Sequence, residues 1–308
     1  MKSVIRTTAG GPEVLQLVER PVPQPGPDEV RVRVHVSGVN PTDWRSRRRA
    51  LPPGMTEQVP HQDGAGVVDA VGTQVDSARV GQRVWIWEAA WERPWGTAQQ
   101  YTLVPDRHAV ALPDHAPFEL GAALGIPALT AHRALTVHDG GPGRIAPGTL
   151  QGSTVLVAGG AGAVGNAAIQ LARWAGARVI TTVSSPAKAT PARAAGAHQV
   201  VNYRTQDAAA EILAFAPEGV DIVVEVSPGT NSALDIAVAA PGAVVAYYAG
   251  GEDRPSQHIH HREIPTRPAA RQFLTLLRGW LIGEQEDSAA GGSHSAGLQD
   301  ADHALGRS

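Results

Sequence analysis

Three glycines spaced as Gly160-x-Gly162-x-x-Gly165 carry the clearest chemical signal in this chain. The first permits a tight turn, the second lets backbone N–H groups approach a pyrophosphate, and the third lets a helix pack closely on a strand. Ala163 and Val164 complete the loop, and the positive end of the following helix dipole faces the phosphates. In a chain with 34 glycines the spacing alone is weak; its position between a strand and a helix gives it meaning. Cofactor choice falls at the end of the next strand. A site for NAD would place Asp or Glu about 20 residues beyond the glycines, to bind the ribose 2′-OH. Residues 184–188 read SSPAK, with no acid. The Ser184 hydroxyl and the Lys188 ammonium suit a 2′-phosphate, so NADPH is the expected cofactor; a plain helix-surface lysine is the alternative.

The elements that must position these groups are legible around them. Residues 154–157 (TVLV) read as a short buried strand, 166–175 as a helix and 178–183 as the next strand. Later strands are expected at 199–201, 221–226 and 243–248. Their near-continuous valine and isoleucine content fits a parallel sheet covered on both faces, so this half is predicted to be a doubly wound α/β domain. The N-terminal half differs. Residues 30–36 (VRVRVHV) alternate strictly, and short strands are expected at 66–71, 83–87 and 99–104, each bounded by glycine or proline. A compact barrel-like unit is the economical reading, followed by helices over 118–124 and 127–135.

Composition narrows the function further. With 308 residues the chain is long enough for about two domains. A net charge of −3 gives no broad attraction to nucleic acid or an anionic membrane. The absence of cysteine removes disulfides, thiolate catalysis and any Cys-ligated zinc. No apolar run approaches the ~18 residues of a membrane span and no signal-type leader is evident, so a cytoplasmic protein is expected.

Four linked motifs make the chain recognisable: GVNPTDW at 38–44, QDGAG at 62–66, GIPALTA at 125–131, and the glycine fingerprint. Together they resemble the medium-chain dehydrogenase/reductase superfamily, in its zinc-free quinone oxidoreductase (zeta-crystallin-like) branch. The resemblance implies a GroES-like β-barrel catalytic domain over residues 1–124 and a Rossmann NADP-binding domain over 125–277. In zinc-dependent relatives a metal-ligand Cys takes the place of Asn40 and a ligand His that of Gln62. No metal is expected here. Without zinc a hydrogen-bonding group must orient the substrate carbonyl. The resemblance assigns that part to Asn40 and Asp43; both are also ordinary turn formers. Thr130 matches a position beside the nicotinamide, with helix N-capping as its other reading. Lys188 and Tyr203 match positions that hold the 2′-phosphate.

Four tryptophans crowd residues 85–95 near where the family's substrate cleft lies, and flat aromatic walls suit a quinone or conjugated enone. Trp85 and Trp87 alternate as packed strand residues do, which leaves Trp91 and Trp95, with Trp44 beside the catalytic loop, as pocket candidates. Arg45, Arg47, Arg48 and Arg49 would hold an acidic substrate or form a solvated surface.

Beyond Gly251 the resemblance thins. Residues 272–277 are expected as a last strand, of the kind through which members of the family pair as homodimers. Residues 278–308 read as a disordered tail where relatives continue back into the catalytic domain, which raises the hypothesis of a truncation or frameshift. His258, His260 and His261 with Glu263 are read as solvated rather than metal-binding. The expected function is NADPH-dependent hydride transfer to a quinone or an α,β-unsaturated carbonyl, with the proton taken from solvent or a bound water. The alternatives are an enoyl-thioester reductase and a catalytically impaired NADPH-binding protein.

Overall fold

The computed structural model describes residues 1–138 and 140–249. The expected strand over 272–277, the histidines His258, His260 and His261 with Glu263, and the tail 278–308 lie outside them. The first half runs β1 (Lys2–Ile5), β2 (Gln16–Glu19), β3 (Glu29–Gly38), α1 (Pro41–Arg47), β4 (Asp63–Val71), β5 (Arg83–Ile86), β6 (Tyr101–Pro105), β7 (Ala109–Ala111) and α2 (Phe118–Ala122). Five of its strands form an antiparallel sheet in the order β6-β3-β4-β5-β7. Single bridges at Ser3–Gln99 and Arg6–Gln58 fasten the small β1–β2 sheet to it. The alternation at 30–36 works as expected at its start. Val30 and Val32 are buried, while Arg31 points outward to Asp69 at 2.9 Å.

The second half runs α3 (Gly125–Thr136), β8 (Thr154–Val157), α4 (Ala163–Trp174), β9 (Arg178–Val183), α5 (Pro186–Ala194), β10 (Gln199–Asn202), α6 (Ala208–Phe215), β11 (Val220–Glu225), α7 (Pro228–Val238) and β12 (Ala239–Tyr247). Its five strands are parallel in the order β10-β9-β8-β11-β12. The order reverses at β8, so the crevice beyond the carboxyl ends of β8 and β11 is where a doubly wound sheet takes its ligand. All four residues of β8 are buried, as its apolar run requires. No helix among the described residues is long and apolar enough to cross a membrane.

One hydrophobic cluster joins the two halves, from Ala65 and Trp85 through Leu112, Leu124 and Leu129 to Val155 and Ile169. Helix α3 is the element shared between the sheets, and the 124/125 boundary crosses this cluster. Trp85 is fully buried and Trp87 stacks on His108 with ring centroids 4.0 Å apart, so both are packing residues.

A buried acid pair fastens α7 to β11. Glu225 accepts hydrogen bonds from the Ser227 amide and from Asn231 Nδ2 at 3.0 Å, and it pairs with the buried Asp235. Burial pushes both carboxyls above the usual range, and the neighbouring charge raises Asp235 further. The folded state therefore keeps a proton that the unfolded chain releases, and stability falls as pH rises from the ordinary carboxylate range through the raised values. Asp235→Asn supplies a permanent N–H donor to Glu225. The melting temperature of the native chain is expected to drop between weakly acid and alkaline buffer, at roughly 2–4 °C per kcal/mol, and to flatten in Asp235→Asn. Parallel curves for the two proteins would dismiss the shared proton.

Candidate functional site

The polar loop forms where β3 ends and α1 begins. Asn40 is extended (φ −118°, ψ 158°), and Pro41 opens the helix with the φ that its ring already fixes. Asp43, in the first turn, accepts the Asn40 amide at 2.6 Å and a second bond from the Gln62 backbone. Asp43 therefore has the turn-forming role open to it from sequence, and it also lines a cleft. Burial pushes its carboxyl up to about 6, against the pull of the two amides.

Asn40 is buried, and its Nδ2 donates to Asp63 Oδ2 at 2.7 Å. The same oxygen accepts the Ile126 amide at 2.8 Å. Asp63 is the functional candidate that sequence reading missed. The sequence showed it only as part of the QDGAG motif at 62–66, with its partners too far along the chain for a role to be read there. Asp63 is fully buried, Oδ1 has no hydrogen-bond partner among the described residues, and burial raises the carboxyl to about 7.

Asp43 opens onto a cleft of ≈ 310 Å³ whose walls include Gln62, His61, Trp91, Arg47 and Arg49. Trp91 is 42% exposed and takes the place of the aromatic wall. The other two pocket candidates do not line this cleft. Trp44 faces outward, 41% exposed, with the guanidinium groups of Arg45 and Arg48 5.4 and 5.0 Å from its ring. Trp95 lies under Arg20, 5.5 Å from the ring, and does not line the cleft. The arginine run is likewise divided. Arg47 and Arg49 face the cleft opposite Asp43 and Glu92, so its lining has mixed charge.

The donors at this position do not suit zinc. Asn40 Nδ2 is committed to Asp63 and Gln62 Oε1 accepts the Ala90 amide at 3.1 Å, while zinc sites draw on thiolate, imidazole and carboxylate. Among the described residues no cluster of three His, Asp or Glu side chains assembles.

The glycine turn links β8 to α4. One expectation is corrected here. The left-handed residue of the turn is Gly159 (φ +70°), just before the fingerprint, while at Gly160 a Cβ would collide with Thr181 Oγ1 and lie 2.7 Å from Ile169 Cδ1. Helix α4 starts at Ala163 rather than Asn166, so Ala163, Val164 and Gly165 form its first turn. The Asn166 amide bonds to the Gly162 carbonyl at 2.8 Å. The three amides before it have no acceptor within the helix, by helix geometry, and are aligned with its dipole. At Gly162 a Cβ would approach nothing closer than Gly159 O at 3.3 Å, so this glycine is not imposed by packing. A cleft of ≈ 400 Å³ opens at Gly162 and Ala163, bordered by Leu124, Ala128 and Asn166.

At the end of β9, Lys188 Nζ donates to Ser184 Oγ at 3.0 Å, and the Tyr203 amide bonds to the Val183 carbonyl at 3.1 Å. Ser184, Lys188 and Tyr203 are thus gathered at one strand end. Thr130 is buried in the middle of α3, one turn after Ile126. Its N-capping alternative is excluded, since the helix begins at Gly125.

Comparison with known proteins adds an independent line. The alcohol dehydrogenase GroES-like domain profile matches residues 26–114, and the zinc-binding dehydrogenase profile matches 163–290. Human quinone oxidoreductase is 33% identical over 253 residues, covering 80% of this chain and 72% of that protein. The solved quinone oxidoreductase of Pseudomonas syringae pv. Tomato DC3000 has a TM-score of 0.75 at 27% identity, covering 92% of this chain and 89% of that one. A mycobacterial protein solved in complex with NADPH has a TM-score of 0.76 at 27% identity, covering 95% and 91%.

Proposed function

The chain belongs to the medium-chain dehydrogenase/reductase family, as a quinone oxidoreductase-like enzyme with a nicotinamide cofactor, and from that premise we propose that it reduces quinones or α,β-unsaturated carbonyls with NADPH and without metal. Residues 1–124 form the catalytic unit and 125–277 the nucleotide unit. The observation that carries this reading is the carboxamide Asn40, tied to Asp63 where zinc-dependent relatives place a metal ligand, in the same molecule as a glycine turn at the switch point of a parallel sheet. The amides of Ala163, Val164 and Gly165 hold the pyrophosphate, and Gly160 and Gly162 let it approach. Ser184, Lys188 and Tyr203 hold the 2′-phosphate, and Thr130 orients the nicotinamide from α3.

NADPH, when bound, supplies the hydride. The second N–H of Asn40 Nδ2, the one not given to Asp63, donates to the substrate carbonyl oxygen and stabilises the charge that develops there. Asp43 orders the polar end of the substrate, and Trp91 covers its apolar face. The proton comes from solvent, which the open cleft admits. The test is the rate of NADPH oxidation with purified protein against a panel of quinones, enones and enoyl thioesters. Turnover of the first two classes supports the reading. Cofactor binding without turnover of any class overturns it.

One observation favours a second substrate within the same chemistry. Arg47 and Arg49 border the cleft where a phosphopantetheine arm would enter, and preferential turnover of enoyl thioesters in the same panel selects an enoyl-thioester reductase. The cofactor assignment has its own test. Lys188→Glu removes the ammonium and places a carboxylate beside the 2′-phosphate. KM for NADPH is expected to rise on the order of tenfold or more, while KM for NADH changes little. Equal effects on the two cofactors would remove Lys188 from the phosphate site.

A further inference from the structure

We propose that Asp63 is a positioning residue: one buried carboxylate oxygen orients the Asn40 amide and ties the catalytic loop to the start of α3. The inference rests on the catalytic role proposed for Asn40. Its basis is a single atom with two donors from distant elements. Asp63 Oδ2 takes Asn40 Nδ2 at 2.7 Å and the Ile126 amide at 2.8 Å. Ile126 lies in the first turn of the helix that carries Thr130, so both proposed substrate-end and nicotinamide-end groups are referenced to one carboxylate.

Two further features show that the position is built for this residue. Gly125 lies against the carboxylate so closely that a Cβ would collide with Oδ1 and come within 2.9 Å of Oδ2. Asp63 also stands in a strand whose neighbours Gly64, Ala65 and Gly66 are all buried. An acid with one oxygen lacking a hydrogen-bond partner among the described residues is a costly choice for packing alone. A side chain of that kind is expected where orientation of another group matters more than stability. The bond from Asn40 fixes the amide flip, since nitrogen must face Asp63; Oδ1 and the second N–H are then presented in a set direction. Burial also raises the Asp63 carboxyl to about 7, so its charge, and the pull on Asn40, change as pH crosses neutrality.

A double-mutant cycle on the full chain tests this. Asp63→Ala is expected to lower kcat on the order of 10- to 100-fold, the scale of a small misplacement of a reacting group, with NADPH affinity near that of the native protein. Asp63→Asn keeps an acceptor for both donors and is expected to recover most of the rate. In an Asn40→Ala background Asp63→Ala should cost a clearly smaller factor than in the native chain, because one of the two groups it positions is gone. The same factor in both backgrounds, or a loss confined to NADPH affinity, overturns the proposal. If Asn40→Ala alone leaves kcat unchanged, the function assigned to Asn40 fails, and the proposal with it.

Gly125→Ala covers a failure of Asp63→Ala to fold, since it displaces the carboxylate without removing it. It should lower kcat by a larger factor in the native background than in Asn40→Ala. An equal loss in both backgrounds counts against the proposal. A readout independent of turnover is the side-chain amide signal of Asn40 in ¹⁵N–¹H spectra, identified by its loss in Asn40→Ala. It should shift with pH through the neutral range and stop doing so in Asp63→Asn. A signal indifferent to both would also refute the contact.

Discussion

Asn40→Ala is expected to lower kcat by on the order of 10²–10³, the usual cost of removing one donor aimed at developing oxyanion charge. Asn40 is buried, so its N–H groups act where water competes poorly. One of them is spent on Asp63. The other is the donor proposed for the substrate carbonyl. Alanine removes that donor and leaves Asp63 Oδ2 with the Ile126 amide alone. The nucleotide turn belongs to another part of the fold, so NADPH affinity should stay close to native. The loss should therefore appear in kcat and not as weaker cofactor binding. Asn40→Asp should be at least as damaging, since it sets a second carboxylate beside Asp63 and two like charges cannot both ionise there. Steady-state kinetics with a quinone and an enone measures this. A kcat within about threefold of native would show that Asn40 is only a turn residue, as many Asn-Pro pairs are.

The parts of the molecule legible in its sequence are those whose determinants are local. Strand β9 falls at the expected 178–183, because a β-branched run between a glycine-terminated helix and a serine-proline pair leaves little choice. The error at the start of α4 has an equally local cause. Ala163, Val164 and Gly165 look like the rest of a glycine loop, yet the chain turns helical at Ala163, directly after the extended Gly162 that caps it. Asp63 was illegible for the opposite reason. Its partners lie 23 and 63 residues away, and nothing in one sequence reports that three distant segments meet at one oxygen. The tryptophans teach the same lesson about surfaces. Trp44 and Trp91 are almost equally exposed, but only Trp91 lines the cleft, while Trp44 lies against the guanidinium groups of Arg45 and Arg48.

The glycine turn gives the second large effect, because its three fingerprint glycines are required for different reasons. Gly165→Ala places a Cβ 2.5 Å from the Gly159 carbonyl oxygen and 2.9 Å from Gly160 Cα. Both are backbone atoms of the turn itself, and they move only if the helix is pushed off the strand. The expected result is a joint loss: stability falls by about 1–3 kcal/mol, as overpacking usually costs, and NADPH affinity falls at least tenfold, equivalent to about 1.4 kcal/mol. Gly162→Ala should separate the two. Its Cβ meets nothing within the protein closer than 3.3 Å, so the melting temperature should stay near native. The added methyl nevertheless stands at the edge of the cleft, beside the first-turn amides of α4, where the pyrophosphate is proposed to bind. Binding should therefore weaken with the fold intact. Thermal melts and NADPH fluorescence titrations of the two variants read both quantities. Native affinity in Gly162→Ala would mean that the phosphates bind elsewhere, and the assignment of this turn as the nucleotide site would have to be abandoned.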